Sequence, residues 1–273
     1  MLCHGGPGLW DYLDDAANLL RGEFTVHRWD QRGCGRSGPA PPYGLDVALR
    51  DVQELKHAWG VDGRWGVIGH SWGAYLALLT ALLNPDSVGA LVYIGGNGPP
   101  SWWADVGSAR YRAERARRLS PHAQQRREVL AGRARDEGEE IEFRRLSWST
   151  DFVEVDPVPA ALEAMVTTRL PISWGVNRAL SRAELFDEEQ LLRACERCEV
   201  PSLFLHGSAD PRSHEGARLL VDRMPNAQFI EIEGAGHFPW VERPGEFASA
   251  VGSFLAVVLK CLPNTTAGVV EGG

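Results

Sequence analysis

Arg64-Trp65-Gly66-Val67-Ile68-Gly69-His70-Ser71-Trp72-Gly73-Ala74-Tyr75-Leu76-Ala77-Leu78-Leu79 reads as a short buried strand, a one-residue corner and an apolar helix. At the corner, G-H-S-W-G matches the G-x-S-x-G pattern of a nucleophile elbow. A serine at the tip of such a turn sits in strained backbone geometry that only a tightly packed corner can hold. Gly69 and Gly73, two residues either side, lack the Cβ atoms that would collide where helix and strand cross. The helix that follows aims its N-terminal N–H groups at negative charge developing beside Ser71. The plain alternative is a Gly-rich turn with a surface serine; the strand before the corner and the helix after it weigh against that.

The flanking chain carries the same alternation. Met1-Leu2-Cys3 reads as the end of a strand, followed by the loop His4-Gly5-Gly6-Pro7-Gly8. Trp10 to Leu20 has helical spacing, Phe24 to Trp29 is β-rich, and Leu45 to Trp59 is a second amphipathic helix. The elbow helix stops near Asn84-Pro85, and Val88 to Ile94 is another strand. After Leu185 come a helix (Phe186 to Cys198), a strand (Pro201 to His206), a helix (Gly216 to Met224), a strand (Gln228 to Ile232) and a last helix (Phe247 to Lys260). Strands alternating with helices of this length predict an α/β fold with a mainly parallel sheet. From Trp102 to about Leu185 the chain turns arginine-rich, acidic and Trp-bearing with no convincing strand, which predicts a helical insertion. The expected division is a core from 1–95 and 186–260, a helical cap over 96–185, and a disordered tail over 261–273.

With 273 residues and 44% hydrophobic side chains, the chain can build a sizeable core. A net charge of −8 gives no reason to expect nucleic acid or anionic membranes. No apolar run approaches a membrane span, and the first residues lack the pattern of a signal peptide, so a cytoplasmic protein is expected. Five cysteines do not make a disulfide framework. Cys195-Glu196-Arg197-Cys198 has no second Cys pair and no convergent His, and is read as a helical surface pair. The run Arg110 to Arg118 is read as a solvated helix face, with the acidic stretch Asp136 to Glu142 as its partner.

A serine nucleophile needs a base, and the base an orienting acid. In open α/β sheets such groups gather at the C-terminal ends of strands. Asp210 follows the strand ending at His206, and His237 follows the strand ending at Ile232, so Ser71, Asp210 and His237 stand in the chain order of this fold. The plain alternatives are a helix N-cap or turn residue for Asp210 and a turn histidine for His237. His70 is expected to point away from Ser71, and His57 and His122 to lie on helical surfaces. An oxyanion hole needs two N–H donors. Trp72 supplies one through its backbone; the other is expected from Gly6, with Gly5 second, since Pro7 has no N–H.

H-G-G-P-G, D-Q-R-G-C-G-R-S, G-H-S-W-G, G-S-A-D and G-A-G-H in this order resemble the proline iminopeptidase-like branch of the α/β-hydrolases. The likeness covers roughly 1–95 and 186–260. It implies an eight-stranded-type core with an inserted cap, Ser71 as nucleophile, Asp210 as acid, His237 as base, and structural roles for Asp30, Arg32 and Ser37 in bracing the oxyanion loop. It also implies two strands and most of a third before H-G-G-P-G, so the natural chain is expected to begin upstream. Aminopeptidases of the family hold the substrate amine with cap carboxylates, one of them just before an aromatic-x-Val-Asn stretch. Here that stretch is Trp174-Gly175-Val176-Asn177, and no Glu precedes it. Trp148, Asp151, Trp174 and Glu184 are the candidate substrate-binding residues of the cap.

The expected protein is a serine hydrolase that cleaves a small amide or ester through an acyl-enzyme. By resemblance it would release an N-terminal residue from short peptides. A carboxylesterase or lactonase acting on a small metabolite is the alternative, and a non-catalytic ligand-binding α/β-hydrolase the second. No metal or organic cofactor is called for. The expected partner is a small-molecule or short-peptide substrate.

Overall fold

Apolar runs bounded by turn residues become one parallel sheet of β1 (Leu2–Cys3), β2 (Trp65–His70), β3 (Val88–Ile94), β4 (Ser202–Gly207) and β5 (Ala227–Ile232), adjacent in that order. The computed structural model describes residues 1–154 and 159–260. The expected tail, 261–273, lies outside the described residues. β3 and β4 are buried along their whole length and β2 nearly so, as parallel strands covered on both faces must be. Alternation splits their side chains between two cores. Val67, Leu91, Tyr93 and Phe204 pack to one side with α2 (Leu45–Ala58) and α3 (Trp72–Leu83). Ile68, Ala90, Val92, Leu203 and Leu205 pack to the other with α1 (Asp14–Leu20) and the final helix, Pro244–Lys260.

α3 has no polar face. Ten of its twelve residues are buried, because it runs between the sheet and the residues of the first core. It ends at Asn84, where Pro85 disfavours continuation. Between β3 and β4 the longer described elements are helices: Ser108–Arg118, Pro121–Ala131, Glu137–Trp148, Ala160–Thr167, Trp174–Leu180 and Glu188–Glu196. Their starts are written locally. Ser120 caps Pro121–Ala131 by accepting from Ala123 N at 3.2 Å, with Pro121 inside the first turn. Asp136 and Glu139 form a capping box on Glu137–Trp148.

Four expectations need correction. The described sheet has five strands, short of the eight implied by resemblance. Phe24 to Trp29 lies beside β1 and accepts one hydrogen bond, Leu2 N to His27 O at 2.9 Å, but forms no strand. β1 offers only two residues of ladder, too few partners for the β-rich segment to pair along its length. Cys195 and Cys198 are buried rather than a surface pair, since the amphipathic helix Glu188–Glu196 turns Leu191 and Cys195 inward. The acidic stretch 136–142 pairs with Arg126, Arg133, Arg135 and Arg144, not with the run Arg110 to Arg118. Arg110 reaches Glu215 instead, and Arg117 and Arg118 share Glu114 one turn back. No helix among the described residues is long and apolar enough to cross a membrane.

The tightest joint is where α3 meets the end of β1. A Cβ on Gly73 would fall inside contact distance of the Cys3 and His4 carbonyl oxygens, and one on Gly69 would strike the Gly73 backbone. Gly73→Ala should therefore destabilise by about 2–3 kcal/mol, because backbone on both sides must move. Chemical denaturation checks this; a loss under about 0.5 kcal/mol would show that the joint has slack.

Candidate active site

Ser71 has φ 57° and ψ −121°, and is the one non-glycine residue with positive φ among the described residues. Its N–H is held by Ile94 O at 2.8 Å, and α3 begins at the next residue. The corner thus exposes the serine at the C-terminal end of β2 while its backbone stays locked. Trp72 N–H stands at the open N-terminus of α3, where no intrahelical partner exists.

β4 and β5 deliver the other two residues. Asp210 and His237 meet at 2.6 Å between Oδ2 and Nδ1. Arg212 N donates to the other Asp210 oxygen at 2.8 Å. Burial alone would raise the Asp210 carboxyl pKa, but His237, His206 and Arg212 outweigh it and hold the group well below the usual carboxylate range. Gly95, at φ 54°, makes room for the pair: a Cβ there would lie 3.0 Å from His237 Nδ1 and 3.3 Å from Asp210 Oδ2. Ser71 and His237 line one cavity of about 290 Å³. On its other side Ser71 also lines a larger cavity of about 640 Å³. An apolar cavity of about 260 Å³ near Met1 and Leu259 shares no lining residue with these two.

The oxyanion loop is ordered by its neighbours. Gly5 N donates to Tyr12 Oη at 2.9 Å, so that donor is spent, whereas Gly6 N has no partner among the described residues. Asn177 Nδ2 donates to Pro7 O at 2.8 Å, and Ser173 N to Gly8 O at 2.8 Å. The Trp174-Gly175-Val176-Asn177 stretch thus clamps the loop from outside. From the other side, Gln31 donates its backbone N–H to His4 Nε2 and its side-chain amide to His4 O. Asp30 accepts from Asp11 N and Arg36, and Ser37 Oγ donates to Asp30 O. Arg32 pairs with Asp51 on α2.

Of the tentative cap residues, Trp148, Asp151 and Trp174 line the smaller cavity and Glu184 the larger. Asp151 is buried and already paired with Arg212 through bonds of 2.9 and 3.2 Å, and its backbone oxygen accepts His237 N at 2.7 Å. Two residues were not anticipated from sequence. Arg118, expected in solvent, is 17% exposed and donates to Thr150 O, Phe152 O and Ala209 O. Glu242 accepts from Gly236 N and Val153 N, both at 2.7 Å, tying the His237 loop to the helical segment. Arg212, two positions after Asp210, did carry a signal in its proximity.

His70 lines neither of the cavities that Ser71 lines, but it packs against His237. Its ring centroid lies 4.3 Å from that of His237, and its Nε2 is 2.9 Å from His237 O. A carbonyl only accepts, so Nε2 carries the proton and Nδ1 accepts from Tyr12 O–H at 2.7 Å. Burial, reinforced by the neighbouring His237, pushes the His70 pKa well down and keeps it neutral. Burial also lowers those of His4 and His206.

Two predictions follow from this wiring. Unfolded histidines titrate near pH 6.5, while burial lowers the pKa of His4, His70 and His206 in the folded state, so the unfolded state takes up protons first. Their contribution is complete above about pH 6.5 and is lost below it, at up to about 1.4 kcal/mol per pH unit for each group. The melting temperature should fall steadily from pH 7 to pH 5, above the range where carboxylates matter; a level or rising curve contradicts neutral burial. Tyr12→Phe removes both the acceptor for Gly5 N and the donor to His70. It should lower turnover about tenfold or more while a buried-core melting temperature drops by only a few degrees; unchanged turnover would show that the loop orders itself.

The residues 1–244 match the family model described as the alpha/beta hydrolase fold. A proline iminopeptidase of Heyndrickxia coagulans is 24% identical over 270 residues, covering 93% of this chain and 89% of the relative. The crystal structure of a Mycobacterium smegmatis proline iminopeptidase superposes with a TM-score of 0.68 at 20% identity, covering 94% of this chain and 88% of that one. A thermophilic esterase from Thermogutta terrifontis gives 0.67 at 24% identity, covering 94% and 89%. The chain belongs to the α/β-hydrolase family.

Proposed function

We propose that the protein is a serine hydrolase of small esters or amides, with Ser71 as nucleophile, His237 as base and Asp210 as orienting acid. The observation that carries this is the 2.6 Å Asp210–His237 pair facing the cavity that Ser71 lines from a strained elbow. His237 takes the proton of Ser71 Oγ as the oxygen bonds to the substrate carbonyl carbon. The resulting oxyanion accepts from the Gly6 and Trp72 N–H groups. Collapse breaks the bond to the leaving group, which takes the proton from His237. Water then repeats the sequence on the acyl-enzyme, and the acid departs. Asp210 stays ionised throughout and holds the imidazole in the tautomer that leaves Nε2 for Ser71.

The relatives favour removal of an N-terminal residue from a short peptide. A specific observation favours the esterase reading: among the described residues the one carboxylate lining the smaller cavity, Asp151, is already paired with Arg212. A free substrate amine would find no unpaired anion there, while Glu184 stands in the other cavity. The helices within 96–185 serve in this reading as the cap that closes over the substrate.

Ser71→Ala, His237→Ala and Asp210→Ala should each cost at least about a thousandfold in kcat/KM, and combined they should cost little more, because the three act as a unit. A fluorophosphonate probe should label the wild type and not Ser71→Ala. If Ser71→Ala kept more than about a hundredth of the turnover, the nucleophile would be elsewhere. N-acetylation of an aminoacyl substrate should change kcat/KM by less than about threefold, since no salt bridge to its amine is lost; a strong preference for the free amine returns the enzyme to the aminopeptidases.

A further inference from the structure

We propose that the smaller cavity receives an anionic group on the substrate, held by Arg115 and Arg127. The proposal rests on Ser71 being the nucleophile and His237 its base, because of the two cavities that Ser71 lines only the smaller one is also lined by His237. The helices Ser108–Arg118 and Pro121–Ala131 carry these two arginines, and both side chains are half-buried and line the cavity with Ser71 and His237. Arg112, on the same helix as Arg115, lines the larger cavity and donates to Ser108 Oγ; the other arginines of these helices and of 133–145 are spoken for. Arg110, Arg117, Arg118, Arg126, Arg133, Arg135, Arg144 and Arg145 each have a carboxylate within salt-bridge distance. Among the described residues Arg115 and Arg127 have none.

The excess is local. The chain as a whole carries −8, yet among the described residues the one acidic side chain lining the cavity, Asp151, is bound to Arg212. Arg115 lies over the Tyr111 ring at 5.1 Å, and Tyr111 is itself a lining residue. Arg127 is partly desolvated and feels the like charge of Arg115, and both effects lower its pKa. Two cations held together without a counter-ion in a half-buried cavity are unfavourable, and an arriving anion relieves that cost. The planar guanidinium fork suits a carboxylate or a phosphate. The remaining wall is apolar, with Leu9, Phe143, Trp148, Met165 and Trp174. Together these features describe a short acyl chain with an apolar body and an anionic end, such as the half-ester of a small dicarboxylic acid.

The test compares p-nitrophenyl glutarate, whose far end is a free carboxylate, with neutral p-nitrophenyl pentanoate, and adds p-nitrophenyl 4-phosphonobutanoate as the phosphate arm. The readout is the ratio of kcat/KM for an anionic ester to that for the neutral one. In the wild type the ratio should exceed about ten, a charge-assisted contact's worth of discrimination, and should shrink as salt rises. Whichever anionic ester gives the larger ratio identifies the anion as carboxylate or phosphate. In the double variant Arg115→Gln/Arg127→Gln the ratio should fall to within about twofold of one, while Arg115→Lys and Arg127→Lys should each keep only part of it, since charge persists but the planar fork is lost. A wild-type ratio at or below one, or a ratio that survives the double variant, overturns the proposal. Ser71-dependent turnover of the neutral ester with no anion preference removes this inference and leaves the hydrolase reading standing. No turnover of any ester together with no fluorophosphonate labelling removes both.

Discussion

The joint between α3 and β1 is the constraint on which the rest depends. Where Gly73 passes the carbonyls of Cys3 and His4, helix and strand end approach as closely as backbone can. This contact sets the start of the H-G-G-P-G loop beside the serine corner, where Ser71 holds a positive φ. Such strain costs about 1–3 kcal/mol and persists only where surrounding packing over-determines it. The nearly all-buried α3 supplies that packing, with Leu76, Ala77, Leu78 and Leu79 fully enclosed. The geometry of the Ser71 corner is therefore held by apolar burial in the core.

The helical segment between β3 and β4 does more than cover the sheet. Residues 149–153 run between the loops that carry Asp210 and His237 and are bonded to both. Arg118 holds the carbonyls of Thr150, Phe152 and Ala209, Asp151 binds Arg212 and the His237 backbone, and Glu242 fastens Val153 to Gly236. Hydrogen bonds involving charged groups contribute about 1.5–3 kcal/mol each, and these are mostly shielded from water. Their positions are coupled, so displacing 149–153 would move the Asp210 and His237 loops together.

Much of this was readable before the fold was known. Strands of Val, Ile and Leu followed by glycine corners announce a parallel sheet, and Asp210 and His237 stood out because each follows such a strand. What stayed hidden depends on contacts across long separations. Arg118 looks like its neighbours in an arginine run, and only the Ala209 carbonyl, 91 residues on, distinguishes it. Tyr12 carries no mark of its tie to His70, 58 positions away. Phe24 to Trp29 has every local preference for a strand, yet a strand is a property of its partners, and β1 supplies two residues. The cap carboxylates were ambiguous for a similar reason: acidic residues are plentiful there, and only geometry separates a paired Asp151 from a free one.

The hydrogen-bond chain from Gly5 to His237 shows how two separate loops are kept in register. Gly5 N–H can only donate and His237 C=O can only accept, so the ends set the direction of every bond between them. Tyr12 accepts from Gly5 and donates to His70 Nδ1; His70 donates from Nε2 to His237 O. One proton arrangement satisfies all three bonds. Protonating His70 would break it, because Nδ1 would then face the Tyr12 hydroxyl as a second donor, and burial already opposes that charge. The loop bearing the spare Gly6 N–H and the loop bearing His237 are thus joined by neutral groups that leave the nearby anion, Asp210, to pair with its own partners. A charged residue at position 70 would compete for that carboxylate, whereas a neutral histidine connects the two loops without drawing on it.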